Sequence, residues 1–326
     1  MKHMLLVGLL FIFAGCSSSS AVDARVSVIA GSADESSPLQ QKQWSHGSAD
    51  CQLNNDQPFD VYQHDQSSYI LRQNKCLNFE APFIYILIGA EKALVLDTGA
   101  TASADELPLY QTVRTLIEKQ AGPAENIEKE ILVIHSHSHS DHYAGDPQFE
   151  GKPNVTLVEP NSTAMMNFFD FTDWPERFVN IELGQRKLTI IPSPGHQEEA
   201  ITVFDAQTKW LLTGDTIYPG FIYVKNWQDY QHSITRLVEF SQSHEVSYVL
   251  GAHIEMTAEA GEYYPIGTMF QPNEASLALT PEHLVALDLQ LKSLQEPEQI
   301  IFNDFIVAPM SIFQKALSNI ARWMFH

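Results

Sequence analysis

The stretch ILVIHSHSHSDHYAGD, residues 131–146, constrains this chain more than any other. Four apolar residues, Ile131 to Ile134, run straight into His135, His137, His139, Asp141 and His142. The run is rich in β-branched side chains, and IEKEILVIHSH reads as a buried strand that carries into the first imidazoles. Extended backbone repeats its side-chain direction every second residue, which would aim His135, His137 and His139 to one side. The following SDHYAGD offers a helical turn with Ser140 as its cap. Neutral imidazoles and a carboxylate at this density suit Zn²⁺, with Mn²⁺ or Fe²⁺ as alternatives. One cation can take two of the imidazoles, and a second can take the carboxylate and the next imidazole. A lone histidine here would be read as a packing residue, and His135 is best read as packing or as a group behind the ligands that orients them.

Other apolar runs end in the same manner. APFIYILIGAEKALVLDTGA reads as a hairpin about a GAEK turn, and its second strand leads to Asp97. KLTIIPSPGH, ITVFDAQTKWLLTGD and VSYVLGAH are further strands, and three motifs within them close on His196, Asp215 and His253. Between the strands, ELPLYQTVRTLIEKQAG has helical spacing through Leu107, Val113, Leu116 and Ile117, and WQDYQHSITRLVEFSQSH and TPEHLVALDLQLKSLQ read as amphipathic helices. Strands with helices between them give an α/β chain, and polar groups gathered at strand ends place a site on one rim of a sheet. Residues 161–174 and 261–271 are expected to flank its pocket; their aromatics and methionines suit an apolar portion of substrate, with core packing an equal account of them. Tyr218, Tyr223, Tyr263 and Tyr264 are candidate donors to a substrate oxygen, or walls of that pocket. The last stretch, FNDFIVAPMSIFQKALSNIARWMFH, is apolar for a tail and calls for a covering surface on the domain, a partner or a membrane.

The chain has 40 acidic residues against 19 basic ones, a formal net charge of -21. Such a surface repels polyanions and argues against a nucleic-acid substrate. The first residues, MKHMLLVGLLFIFAGC, have a basic start, a short apolar stretch and small residues before Cys16, the pattern of an export signal over 1–15. The FAGC ending resembles a bacterial lipobox, which implies cleavage before Cys16 and lipidation of its thiol. Ser17 then favours the outer membrane over the inner, so the expected location is periplasmic with a lipid anchor as the membrane contact. Residues 16–58 begin as a Ser-, Ala- and Gly-rich tether. Cys51 and Cys76 remain as a pair; in an oxidising compartment they are candidates for a disulfide, which the chain-entropy relation values at about 3–4 kcal/mol. Two separately buried thiols are the alternative. The folded domain is expected over 59–326.

The ordered set of motifs resembles the metallo-β-lactamase superfamily. H-x-H-x-D-H fits His137 to His142, preceded by LVLDTGA and followed by SPGHQEEAITVFD, LLTGDTIYPG and VLGAHIEM. Each motif alone is a common turn; five in order are not. The resemblance implies a four-layer αβ/βα sandwich with metals at one edge. It implies that His137, His139 and His196 hold a first cation, that Asp141, His142 and His253 hold a second, and that Asp215 bridges both. Two Zn²⁺ are the expected cofactors. Asp97 would sit behind the ligands and orient them, and Asp141 and Asp215 are the candidate catalytic carboxylates. A water between two divalent cations loses its proton near neutral pH and can attack a carbonyl or phosphoryl centre.

Within the family, β-lactamases proper carry Cys or Ser where this chain has Asp215, whereas thioesterase, lactonase and phosphodiesterase relatives keep the aspartate. Export argues against a cytosolic glutathione thioester. The expected activity is hydrolysis of a small ester, lactone, thioester or related bond in a small-molecule substrate. A periplasmic β-lactamase and a non-catalytic metal-binding lipoprotein are the alternatives.

Overall fold

A computed structural model describes residues 39–121 and 129–325. The expected signal, Cys16 and the first part of the tether lie outside the described residues. Two six-stranded sheets form the centre. The first runs in chain order: β1 (Phe59–Gln63), β2 (Ser68–Gln73), β3 (Phe83–Ile88), β4 (Lys92–Leu96), β5 (Glu130–Ile134) and β6 (Val155–Leu157). The second comprises β7 (Val179–Glu182), β8 (Lys187–Pro192), β9 (Ile201–Asp205), β10 (Trp210–Gly214), β12 (Tyr248–Gly251) and β13 (Ala278–Leu279), ordered β13-β12-β10-β9-β8-β7. A small third sheet joins β11 (Phe221–Val224), β15 (Ile306–Pro309) and β14 (Ile300–Ile301). The helices are α1 (Leu109–Ala121), α2 (Ser140–Tyr143), α3 (Ser162–Phe169), α4 (Trp227–Ser243), α5 (Pro281–Ser293) and α6 (Ile312–Phe325).

The period of two along each strand sorts side chains into layers. In β3, Phe83, Tyr85 and Leu87 face inward and meet Leu188, Ile190, Val203, Trp210 and Leu212 of the other sheet. The alternate Ile84, Ile86 and Ile88 face outward, where Leu109, Val113, Leu116 and Ile117 of α1 cover them. On the far side, Phe204, Leu211 and Val249 are covered by Tyr230, Ile234 and Leu237 of α4 and Leu284, Leu287 and Leu291 of α5. The result is the expected four-layer αβ/βα sandwich. Strands buried on both faces have no reason to alternate in polarity, which is why FIYILI and ILVI read as continuous apolar runs. Arg186 stitches the sheets together: it pairs with Asp205 at 2.6 Å and donates to the Ser67 and Ile88 carbonyls. Removing one partner of such a buried pair costs about 3–5 kcal/mol.

The expected domain boundary at Phe59 does not hold. Leu39 and Trp44 are buried in the core, and Trp44 packs edge-on to Phe83 with ring centroids 4.8 Å apart. Lys42 reaches Asp60 at 2.8 Å, and Cys51 is bonded to Cys76. Polar composition between these anchors hid them, so residues 39–58 are part of the fold and not tether.

Strand direction gathers the chemistry. β4 and β5 are parallel; β10 is parallel to β12, and β8 and β10 each lie antiparallel to β9. The C-terminal ends of β4, β5, β8, β10 and β12 therefore share one rim, and each is followed within five residues by one of the candidate groups Asp97, His137 and His139, His196, Asp215 and His253.

Candidate metal centre

At that rim the nitrogens and oxygens fall into two clusters, His137, His139, His196 and Asp215 in one, Asp141, His142 and His253 in the other, with donor atoms in each within 4.8 Å of one another. In the first, His139 Nδ1 stands 2.9 Å from His137 Nε2 and 3.1 Å from His196 Nε2. In the second, His142 Nε2 and His253 Nε2 are 3.4 Å apart, and Asp141 Oδ2 is 3.4 and 3.3 Å from them. Asp215 divides between the two. Its Oδ2 lies 3.8 Å from His137 and 3.6 Å from His196, while Oδ1 lies 3.6 Å from His142 and 3.5 Å from His253.

Donors bound at 2.0–2.1 Å in a tetrahedron stand about 3.3 Å apart, so both clusters have the spacing a small divalent cation needs. Asp215 Oδ1 adds a second sign, because it is buried with no hydrogen-bond partner. A buried carboxylate oxygen without a donor is costly unless a cation meets it. The donor set, imidazole with carboxylate, fits zinc, manganese or iron.

The nitrogens that face away from the clusters hold the rings in place. His142 Nδ1 donates to Asp97 Oδ2 at 2.9 Å, His196 Nδ1 to the Tyr223 carbonyl at 2.8 Å, and His253 Nδ1 to the Glu80 carbonyl at 3.1 Å. Asp97 also accepts from Ser136, from its N–H at 2.7 Å and its hydroxyl at 2.9 Å. These bonds select the tautomer that leaves Nε2 free toward the centre. Backbone shape cooperates. Gly214, at φ 51°, passes so near Ser136 that an added Cβ would stand 2.5 Å from the serine Cβ. That close approach sets Asp215 beside the histidine loop, and it explains the glycine in TGD.

Electrostatics distinguishes the clusters. Burial holds the His137 ring well below its usual range, and burial with His196 pushes His139 down to about 3. His142 and His253 are also buried, but neighbouring carboxylates outweigh that: Asp141, Asp97 and Asp215 lift His142 well above its usual range, and Asp215 and Asp141 bring His253 up to about 9. Burial opposes ionisation of Asp215, yet His253, His142 and His137 hold its carboxyl well below the usual carboxylate range.

All seven residues expected as ligands are thus brought together, with Asp97 behind them. Three expectations differ. β5 ends at Ile134, so the period of two does not extend through the imidazoles. His135 turns away and meets Asp146 at 2.9 Å, a carboxylate that also accepts from Thr98 Oγ1 at 2.7 Å. α2 starts at Ser140 with His139 as its N-cap and no side-chain cap bond, so Ser140 is not the cap. The 161–174 stretch does both: Met165, Phe169 and Phe171 enter the core, and Asn161, Met165 and Phe169 line a small cavity beside His137.

On the other side, Tyr263 and Tyr223 are 46% and 38% exposed beside Phe221. Tyr218 gives its hydroxyl to the Phe221 carbonyl at 3.0 Å, and Tyr264 accepts from the Asn273 N–H at 2.9 Å, so both serve the fold. Sequence reasoning missed Gln197, whose amide lies against His139 Nε2, and Glu199, which takes the Ser138 hydroxyl. Their place directly after the SPGH motif was the available signal.

Comparison with known proteins gives one family, described as the Metallo-beta-lactamase superfamily, which matches residues 77–246, just over half of the chain. Among curated proteins, the chain is 25% identical over 244 residues to the acyl-coenzyme A thioesterase MBLAC2 of Homo sapiens, covering 60% of this chain and 86% of that one. The Gallus gallus protein of the same name is 25% identical over 246 residues, covering 60% and 85%. Among solved structures, a metallo-beta-lactamase from Erythrobacter litoralis has 12% identity and a TM-score of 0.48, covering 74% of this chain and 99% of that one. One from Pontibacter korlensis has 16% identity and a TM-score of 0.44, covering 72% and 100%.

Proposed function

The chain is a hydrolase that belongs to the metallo-beta-lactamase superfamily, and from that premise we propose that it cleaves an acyl thioester with the help of two divalent cations, zinc by preference. The carrying observation is the division of Asp215, one oxygen toward each donor cluster. A protein that only stores a cation has no need of a carboxylate shared between two donor clusters. The thioester choice is supported by the relatives named acyl-coenzyme A thioesterase.

His137, His139, His196 and Asp215 would hold one cation, and Asp141, His142, His253 and Asp215 the other. Such a pair supplies a water ionised near neutral pH and a Lewis acid for the carbonyl oxygen. The residues do the rest. Asp97 and Ser136 fix His142, and the Tyr223 and Glu80 carbonyls fix His196 and His253, so the reacting groups meet without reorganisation. Attack forms the C–O bond and breaks the C–S bond. Against burial, His142 and His253 hold the Asp141 carboxyl well below the usual carboxylate range, so Asp141 would serve as a ligand and not as a base; the sulfur departs as a thiolate and the acid formed gives its proton to solvent. Phe221, Tyr223 and Tyr263 offer an apolar wall to the acyl portion. The Cys51–Cys76 bond supports an oxidising compartment, in keeping with export and a lipid anchor at Cys16.

The test is metal analysis of the purified protein followed by a panel of acyl thioesters, lactones, phosphodiesters and β-lactams. Two cations per chain and the highest kcat/KM on a thioester are expected. Turnover of β-lactams with thioesters untouched would overturn the proposal.

A further inference from the structure

Two sets of contacts hold His253. Its backbone is fixed from the sheets: the Ala252 N–H donates to the Gly214 carbonyl at 3.0 Å, and the Ala252 carbonyl accepts from the Phe83 N–H at 2.7 Å. Its ring is fixed by the bond from Nδ1 to the Glu80 carbonyl. That carbonyl comes from the turn between β2 and β3, residues 74–82. Ala81 in this turn is fully buried at φ 43°, a left-handed backbone that alanine holds only where its surroundings impose it.

The surroundings are specific. Asn74 donates its amide to Asn54 Oδ1 at 3.0 Å and accepts from the Cys76 N–H at 2.9 Å, and Cys76 is bonded to Cys51. Asn78 donates to the Ala100 carbonyl at 3.1 Å and accepts from the Glu80 N–H at 3.0 Å. Lys75, 2% exposed, gives its ammonium to the Phe79 carbonyl at 2.6 Å, in the peptide directly before Glu80. It forms no ion pair among the described residues. A buried ammonium with one carbonyl for a partner is costly, and an apolar side chain would fill the space better. Packing therefore does not account for Lys75; what it orients does.

We infer that Lys75 and the Cys51–Cys76 bond are positioning elements of the metal centre: through Phe79 and Glu80 they aim the His253 ring and so set the affinity of the second cation. The inference rests on the reading of Asp141, His142 and His253 as ligands of that cation. It is independent of which bond the centre hydrolyses. The sign of the effect separates it from simple electrostatics. Lys75 lines one small cavity with Glu80 and Glu255, beside the second cluster. Burial and the Arg72 guanidinium bring its ammonium down to about 8, so it is charged at pH 7. A positive charge repels a cation, so its removal would by charge alone tighten binding. Loss of the orientation of His253 loosens it.

The experiment is zinc titration of the full chain carrying Cys16→Ser, so that no free thiol competes for metal. Three variants are compared with it: Lys75→Met, the pair Cys51→Ser with Cys76→Ser, and Lys129→Met. Two steps are expected in the parent. Lys75→Met should weaken the second by about tenfold, the low end for a group that orients a ligand, and the disulfide-free variant by about threefold. The first step should stay as in the parent, which also reports that each variant is folded. Lys129→Met removes a comparable buried contact, to the Gly89 carbonyl at the other end of β5, and should change neither step. A spectroscopic readout accompanies the titration. In zinc-loaded protein with isotope-labelled histidine, the N–H resonance that is lost in His253→Gln should shift or broaden in Lys75→Met, while the one lost in His196→Gln stays in place. A second step that tightens or is unchanged in Lys75→Met, or equal weakening of both steps, would overturn the inference and leave the two-cation reading standing. An unchanged second step in the disulfide-free protein would do so even if Lys75→Met failed to fold. A parent with a single step would overturn both.

Discussion

His137, His139 and His196 face the shared Asp215 as imidazoles that burial keeps neutral, whereas His142 and His253 face it among carboxylates that draw protons onto them. The two halves of one centre therefore start from different states. The first presents free lone pairs across the whole physiological range. The second is a closed network of His142, His253, Asp141 and Asp97 that balances its own charge. A cation entering the first displaces little. A cation entering the second must release a proton, and this makes the second half the more easily emptied.

The strongest way to break this contrast is to remove what the halves share. Asp215→Ala takes one oxygen from each cluster. It should lower kcat/KM by about 10³-fold or more and reduce the bound metal below two per chain. If one half kept its cation with activity intact, the shared carboxylate would be irrelevant to the chemistry and the proposed function would fail with it.

Asp97→Asn sharpens the contrast by acting on one side. The variant keeps the shape and one acceptor but loses the charge that His142 Nδ1 and Ser136 meet. A charge-assisted bond contributes about 1.5–3 kcal/mol, so the affinity for the second cation should fall about 10- to 100-fold. The first should hold its affinity. Isothermal titration with zinc, expected to show two steps in the parent, measures this directly; an equal loss in both steps would show that the halves are not separately supported.

Proton release gives a third measure. His253 sits at about 9 in the metal-free centre, above its ordinary value, so it is protonated at pH 7 and must lose that proton to serve as a ligand. His142, lifted well above its usual range, must also give up its proton, so the affinity of the second step should rise by up to about a hundredfold per pH unit below pH 9. The first step, whose His139 lies at about 3, should be nearly flat over the same range. Titration in buffers of different ionisation enthalpy counts the protons; parallel pH slopes for both steps would contradict the assignment.

How far all this was legible in sequence depended on distance along the chain. The seven ligands and Asp97 could be read because each stands just past the end of an apolar run, and strand ends converge once the strands pair. His135 could be set outside the ligand group, but its partner could not be read, because Asp146 and the supporting Thr98 come to it through the fold. Leu39 and Trp44 were lost in polar surroundings, since single anchoring residues carry no period. Residues 161–174 stayed open between pocket wall and core, because aromatic content does not say which side is buried.

The mildest test mirrors Asp97→Asn on the other half. If His139 gives Nδ1 to the first cation, its Nε2 carries the hydrogen, and the Gln197 amide, whose nitrogen lies against that Nε2, accepts it by turning its oxygen inward. This bond joins two neutral groups, which contributes about 0.5–1.5 kcal/mol against about twice that for the charged pair at His142. Gln197→Ala should therefore weaken the first zinc step by roughly 2- to 10-fold and leave the second unchanged. Gln197→Glu should restore or exceed the parent affinity, since a carboxylate accepts from Nε2–H more strongly. That rescue separates an orienting role from simple packing, because alanine and glutamate would otherwise both disturb the site. A loss confined to the second step would reverse the assignment of the halves.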